Sequence, residues 1–152
     1  MRSIILISAV LLSACASTNY SPLSDGTYKQ LTSYAQTLIG SPYKYGGKSP
    51  STGFDCSGYV GHVFKKIAGI SLPHNSRQIS RHGKSVKASE LREGDLVFYD
   101  TNNQSFSHVG IYLGNERFIH APSSGGSVRV EDMKMDYWKK HYNGARRITV
   151  QK

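Results

Sequence analysis

The stretch His108-Val109-Gly110-Ile111-Tyr112-Leu113-Gly114-Asn115-Glu116-Arg117-Phe118-Ile119-His120-Ala121 holds two short apolar runs on either side of a Gly-Asn break. Val, Ile, Tyr and Phe at this density favour extended backbone, and Gly114-Asn115 tolerate the positive φ of a tight turn. The segment is therefore expected to be a β-hairpin. Each strand carries one histidine. If the turn is an odd-length loop centred on Gly114, His108 and His120 face each other directly, with Cβ atoms about 4.5–5.5 Å apart. An even two-residue Gly-Asn loop puts them on opposite faces of the sheet instead.

Moving outward, similar short runs at residues 95–99, 127–130 and 147–150 are expected to add strands, with Gly, Asn and Ser between them. Upstream the period becomes helical. From Thr27 the residues Tyr28, Leu31, Ala35, Leu38 and Ile39 fall on one face, and Gly40 with Pro42 closes that helix. Asp55 is a short polar cap for a second helix that runs through Phe64 to Gly69, with Cys56, Val60, Val63 and Ile67 along one side. Helices first and strands afterwards make an α+β domain, its N-terminal helices packed on an antiparallel sheet of five or six strands.

Cys56 sits in the first turn of that second helix. Free N–H groups and the positive dipole end stabilise a thiolate there, and the same N–H groups could hold an oxyanion. A thiol nucleophile also needs a base that returns the proton to the leaving amine, and imidazole suits neutral pH. The chain has six histidines. His62 lies too far along the helix of Cys56 to reach it, while His82 and His141 fall in polar, basic stretches and are expected to be solvated. His108 and His120 differ from the rest because they sit on neighbouring strands, where one imidazole can orient the other if the odd-length turn forms. Cys and two His are also zinc ligands, but structural zinc sites bring ligands in close pairs, and here Cys56 is alone and the histidines are far apart in sequence. No metal and no cofactor is expected.

The chain starts with Met1-Arg2-Ser3 and an apolar run from Ile4 to Leu12, too short to span a bilayer and typical of a secretory signal. Its end, Leu12-Ser13-Ala14-Cys15, resembles the bacterial lipobox, in which the Cys is lipidated and becomes the new N-terminus. On this reading residues 1–14 are signal peptide, 15–26 a lipidated Cys15 with a polar, flexible tether, and 27–152 the domain. Ala16 after the Cys favours the outer membrane of a Gram-negative cell, facing the periplasm. With two cysteines in all and Cys15 lipidated, Cys56 is left as a lone thiol. The net charge of +9 favours an anionic partner, yet the basic residues are dispersed and form no nucleic-acid module, so no nucleic acid is expected.

Taken together, six motifs resemble the NlpC/p60 cell-wall cysteine peptidases, which are papain-like. They are Gly40-Ser41-Pro42-Tyr43 with Gly46-Gly47; Asp55-Cys56-Ser57-Gly58; Leu91 with Gly94-Asp95-Leu96-Val97-Phe98; the strand from His108 to Gly114; Phe118-Ile119-His120-Ala121; and Gly144-Ala145-Arg146-Arg147. The resemblance covers residues 27–148. It implies Cys56 as nucleophile, His108 as base and His120 as the residue orienting it. It further implies Tyr43 near the oxyanion, with Tyr45 as competitor, and Asp55 and Ser57 shaping the substrate side. The implied reaction is hydrolysis, through a thioester, of amide bonds in peptidoglycan stem peptides or crosslinks by a monomeric enzyme. A non-catalytic wall-binding lipoprotein and a thioester transferase are the alternatives on the same fold. Two departures stand out: His74 follows Leu72-Pro73 where relatives commonly have Arg, and the loop from Gly47 to Cys56 is one residue longer than in some of them.

Overall fold

The computed structural model describes residues 20–124 and 126–151. Ser24 caps the first helix, α1 (Asp25–Thr37), its Oγ accepting from the Thr27 N–H at 3.1 Å. Tyr28, Leu31 and Ala35 are buried along one face. The helix stops before Ile39, which is half-exposed, so this residue does not join the packed face as the spacing predicts. Just before α1, β1 (Tyr20–Pro22) pairs antiparallel with the end of the chain. Tyr20–Pro22 and the start of α1 at Asp25 lie within the stretch expected to be tether, and both are ordered backbone in the fold. A polar Tyr-Ser-Pro run carries no local sign of this; its partner is more than a hundred residues away. Residues 1–19, with the lipobox and Cys15, lie outside the described residues.

A small hairpin, β2 (Lys48–Ser49) and β3 (Gly53–Phe54), leads into α2 (Cys56–Ala68), which ends at the left-handed Gly69. Val60, Val63 and Phe64 are fully buried, and burial of each contributes about 1.5–3 kcal/mol. The Tyr59 hydroxyl donates to the Ala35 carbonyl at 2.8 Å, locking α2 to α1. Next come α3 (Ser76–Ile79), β4 (Lys84–Val86), β5 (Leu96–Tyr99), β6 (His108–Gly114), β7 (Arg117–His120), β8 (Arg129–Asp132), α4 (Asp136–His141), β9 (Tyr142–Arg147) and β10 (Thr149–Gln151).

One six-stranded antiparallel sheet runs in the order β4-β9-β5-β6-β7-β8. Alternation splits its side chains between two faces. Leu96, Phe98, Val109, Ile111 and Ile119 face α1 and α2. Val97, Tyr99, Tyr112 and Phe118 form a second core with Trp138 of α4. The expected α+β arrangement holds. Two expected strands shift: the one at 127–130 forms at Arg129–Asp132, and the run at 147–150 is divided between β9 and β10 by the buried Ile148. The short, polar β4, α3 and α4 give no periodic signal and were not anticipated. A bidentate pair, Arg147 Nε to Asp95 Oδ1 at 2.8 Å and Arg147 Nη2 to Asp95 Oδ2 at 2.7 Å, ties the end of β9 to the entry of β5.

The β6–β7 hairpin follows neither expected geometry. Gly114 pairs with Arg117 across a two-residue turn in which Asn115 and Glu116 have φ of 51° and 55°, as a type I′ turn requires. That turn alone would put the two histidines on opposite faces. A bulge between Tyr112 and Gly114 then shifts the register by one, so that Tyr112 meets Phe118 and Ile111 meets Ile119. Continued down the ladder, this register sets Gly110 opposite His120 and leaves His108 one diagonal away on the same face. Gly114, at φ 86°, supplies the left-handed backbone that such a bulge needs.

Candidate active site

The start of α2 is built from three contacts. The Asp55 carboxylate accepts from the Gly58 N–H at 2.7 Å and, through its other oxygen, from the Gly46 N–H at 3.1 Å. The Gly47 carbonyl accepts from the Asp55 N–H at 3.0 Å, and a Cβ on Gly58 would collide with that carbonyl. Gly58 thus lets the loop pack directly on the helix end, while Gly47 lets the loop close against the Gly53 backbone. His74 completes the cap: its Nε2 lies 2.9 and 3.0 Å from the two Asp55 oxygens. The histidine that replaces the more usual Arg therefore serves as a carboxylate partner.

Cys56 follows as the first helical residue. Backbone N–H groups of Val109, Ser57 and Cys56 itself face the sulfur and pull its pKa down, but burial outweighs them and pushes the thiol up to about 11, with the Asp55 charge adding to the rise. Burial thus works against the thiolate that the helix end favours. The dipole and free N–H groups act within the first turn, yet the loss of water around the sulfur is the larger effect.

Tyr43, Asp55, Cys56, Ser57, His74 and His108 line a single cleft of about 660 Å³. Burial, then Asp55 and Cys56, raise the pKa of the Tyr43 hydroxyl, so it remains a neutral donor in the cleft that Cys56 also lines. Tyr45 also borders the cleft but is 89% exposed. A smaller, mostly apolar groove of about 340 Å³ along α2, lined by Gly61, Leu72 and Lys65 among others, shares Ser57 and His74 with the cleft; neither the thiol nor the imidazole pair lines it.

His108 and His120 are brought together. Their nitrogens, Nε2 of His108 and Nδ1 of His120, are 2.6 Å apart, and the rings meet nearly edge to face. Gly110, opposite His120, has no side chain to occupy the space across which His120 leans. Trp138 stacks against His108 and stands edge-on to His120. Burial lowers His108 to about 4 and lowers His120 further, with the neighbouring His108 and Arg129 contributing to the latter. Both rings are neutral at rest. With His108 Nε2 committed to His120, its Nδ1 is the nitrogen left for a proton from the cleft. The nitrogens bond to each other, which leaves no shared position for a metal ion.

Sequence reasoning missed Trp138 and Glu131. Trp138 is the single tryptophan, but its helix has no periodic signature. Glu131 follows Arg129 at strand spacing, which was a readable sign that the pair shares a face. His62, too far along α2 to reach Cys56, is hydrogen-bonded to the Tyr34 hydroxyl at 2.9 Å, and it does not line the cleft.

Residues 40–147 match the NlpC/P60 family. The chain is 42% identical over 117 residues to the murein DD-endopeptidase MepH of Escherichia coli K12, covering 75% of this chain and 43% of that protein. It is 44% identical over 106 residues to murein DD-endopeptidase MepS/murein LD-carboxypeptidase of the same strain, covering 70% of this chain and 55% of that protein. It thus spans about half the length of these relatives. The crystal structure of an NlpC/P60 family protein from Bacillus cereus superposes with a TM-score of 0.74 at 32% identity, over 84% of this chain and 41% of that one. Because the match runs through every wall of the cleft, from Gly40 to Arg147, this chain belongs to the NlpC/P60 family.

Proposed function

We propose that this protein is a cysteine endopeptidase that cleaves amide bonds in peptidoglycan stem peptides or crosslinks. One observation carries the reading: a buried, neutral His108–His120 pair opens onto the same cleft as a thiol at a helix start. Burial disfavours each charge alone, so the thiol proton moves to His108 Nδ1 as the sulfur attacks, and the two opposite charges form together. The new C–S bond displaces the carbonyl π electrons onto oxygen. Backbone N–H groups at the α2 start and the Tyr43 hydroxyl are the donors for that oxyanion. Collapse breaks the C–N bond, His108 returns its proton to the amine, and water hydrolyses the thioester. His120 orients His108, while Asp55 and Ser57 shape the substrate side.

The positive net charge suits the carboxylate-bearing wall. Lipidation of Cys15 would hold the monomeric domain at a membrane, by the sequence reading the outer membrane facing the periplasm. Among the described residues no helix is long and apolar enough to cross a membrane. The test is mass spectrometry of purified peptidoglycan fragments incubated with the mature protein and with Cys56→Ser. Cleaved stem peptides only with the wild type are expected, and identical products from both would sink the mechanism. An added amine separates hydrolysis from transfer.

A further inference from the structure

His120 has a second ring nitrogen, Nε2, which is buried and has no hydrogen-bond partner among the described residues. A lone buried N–H or lone pair of this kind costs about 1–3 kcal/mol and calls for a partner. Glu131 of β8 places its Oε1 3.7 Å away. That separation is longer than a hydrogen bond and short enough for a side-chain adjustment to close. Arg129 Nε grips the same Oε1 at 2.6 Å, and Arg129 also reaches the Ser124 carbonyl at 3.1 Å, which holds the carboxylate in place from the far side.

The ladder explains why these groups meet. In the β7–β8 register Phe118 faces Glu131 and His120 faces Arg129, so Glu131 lies one diagonal from His120 on the same face. His108, one diagonal from His120 on the other side, repeats the step. Three side chains therefore cross three strands in a line, from the cleft inward: His108, His120, Glu131. Trp138 and Phe118 pack around the middle ring and keep water from it.

We propose that Glu131 is a positioning residue that keeps the His120 proton on Nε2 and thereby sets the tautomer of His108. The proposal rests on His108 acting as the base. A carboxylate facing Nε2 repels a lone pair there and favours an N–H. With the proton on Nε2, His120 Nδ1 is a lone pair and accepts from His108 Nε2–H. His108 Nδ1 is then unprotonated and open to the thiol proton of Cys56. The reverse tautomer, with His120 donating from Nδ1, would place the His108 proton on Nδ1 and block it. When the proton arrives from Cys56, His108 carries hydrogen on both nitrogens and the charge is stabilised through His120 toward Glu131. No proton need pass beyond His108.

The experiment combines kinetics with imidazole 15N correlation spectra of the mature protein, comparing wild type, Glu131→Gln and Glu131→Ala. In the wild type, the spectra should show both His108 and His120 protonated on Nε2. Glu131→Ala should move part of His120 to the Nδ1–H form and lower kcat on the order of 10- to 100-fold, with KM little changed. Glu131→Gln, which keeps an acceptor oxygen and nearly the same shape, should recover part of both. A His120 proton on Nδ1 in the wild type would overturn the proposal, as would a tautomer unchanged in both variants. If Glu131→Ala fails to fold, Glu131→Gln with the wild-type spectrum decides. Because the spectra do not depend on turnover, an inactive wild type would count against the peptidase reading and leave this test intact.

Discussion

Substituting Gly110 by alanine probes the histidine pair without touching either ring. A Cβ built on Gly110 would lie 2.7 Å from Phe118 Cδ2, 2.9 Å from the Ile119 carbonyl oxygen and 3.2 Å from the His120 Cβ. None of these neighbours can swing away freely, because Phe118 and His120 are fully buried and the third atom is backbone. Such overpacking costs about 1–3 kcal/mol. At about 2–4 °C per kcal/mol for a chain of this size, Tm should fall by roughly 2–12 °C. Catalysis should suffer more than stability does. The methyl group pushes His120, which sets His108, and a displacement near 1 Å at reacting groups costs on the order of 100-fold in rate. Thermal unfolding followed by circular dichroism, alongside stem-peptide turnover well below the lowered Tm, measures both. A folded Gly110→Ala protein with wild-type turnover would refute the claim that this glycine clears space for the pair. A loss of activity that merely tracks the unfolded fraction would refute it too.

Five further outcomes are expected. Asp95→Ala leaves the Arg147 guanidinium facing an emptied, fully buried position and should cost about 3–5 kcal/mol in urea unfolding; a change near zero would show that the pair is replaceable. Burial holds His108 near 4 against 6.5 in the unfolded chain, so kcat/KM should hold through mildly acid pH and fall only as pH approaches 4. The same shift has a stability sign: the lowered folded-state pKa gives a contribution that is complete above pH 6.5 and lost as pH falls from there toward 4. It amounts to roughly 3 kcal/mol by chemical denaturation, and an acid limb centred near 6.5 would contradict it. Iodoacetamide should alkylate Cys56 slowly at neutral pH and faster as pH rises toward 11, whereas fast, pH-independent labelling in the neutral range would reveal a resting thiolate–imidazolium pair. Cys15→Ala should release the protein from membranes with stem-peptide cleavage intact, and loss of activity in the released form would argue against a passive anchor.

Much of the site was legible because its parts are local. Asp55 before an apolar helical run marks a helix start, and that alone places Cys56 at its first position. The apolar runs around Gly114-Asn115 mark a hairpin with one histidine on each strand. The pairing of those histidines was not legible, because it depends on parity. The two-residue turn through Asn115 and Glu116 sends them to opposite faces, and a single bulge at Leu113 brings them back. No propensity distinguishes these cases, since a bulge is decided by how the hairpin packs between β5 and β8.

The layer order, the helix that begins at Cys56 and a histidine on each hairpin strand were readable from the chain alone, because each follows from periodicity, capping or turn residues within about a dozen positions; the roles of base and orienter came from the family resemblance. Tertiary structure alone decided three things. It paired Tyr20–Pro22 with Thr149–Gln151, across most of the chain. It partly enclosed Cys56, so that desolvation opposes the helix end and raises the thiol pKa. It also set Glu131 behind His120 and Trp138 over both rings. All three depend on which surfaces lose water and which distant strands become neighbours, and local spacing does not encode either.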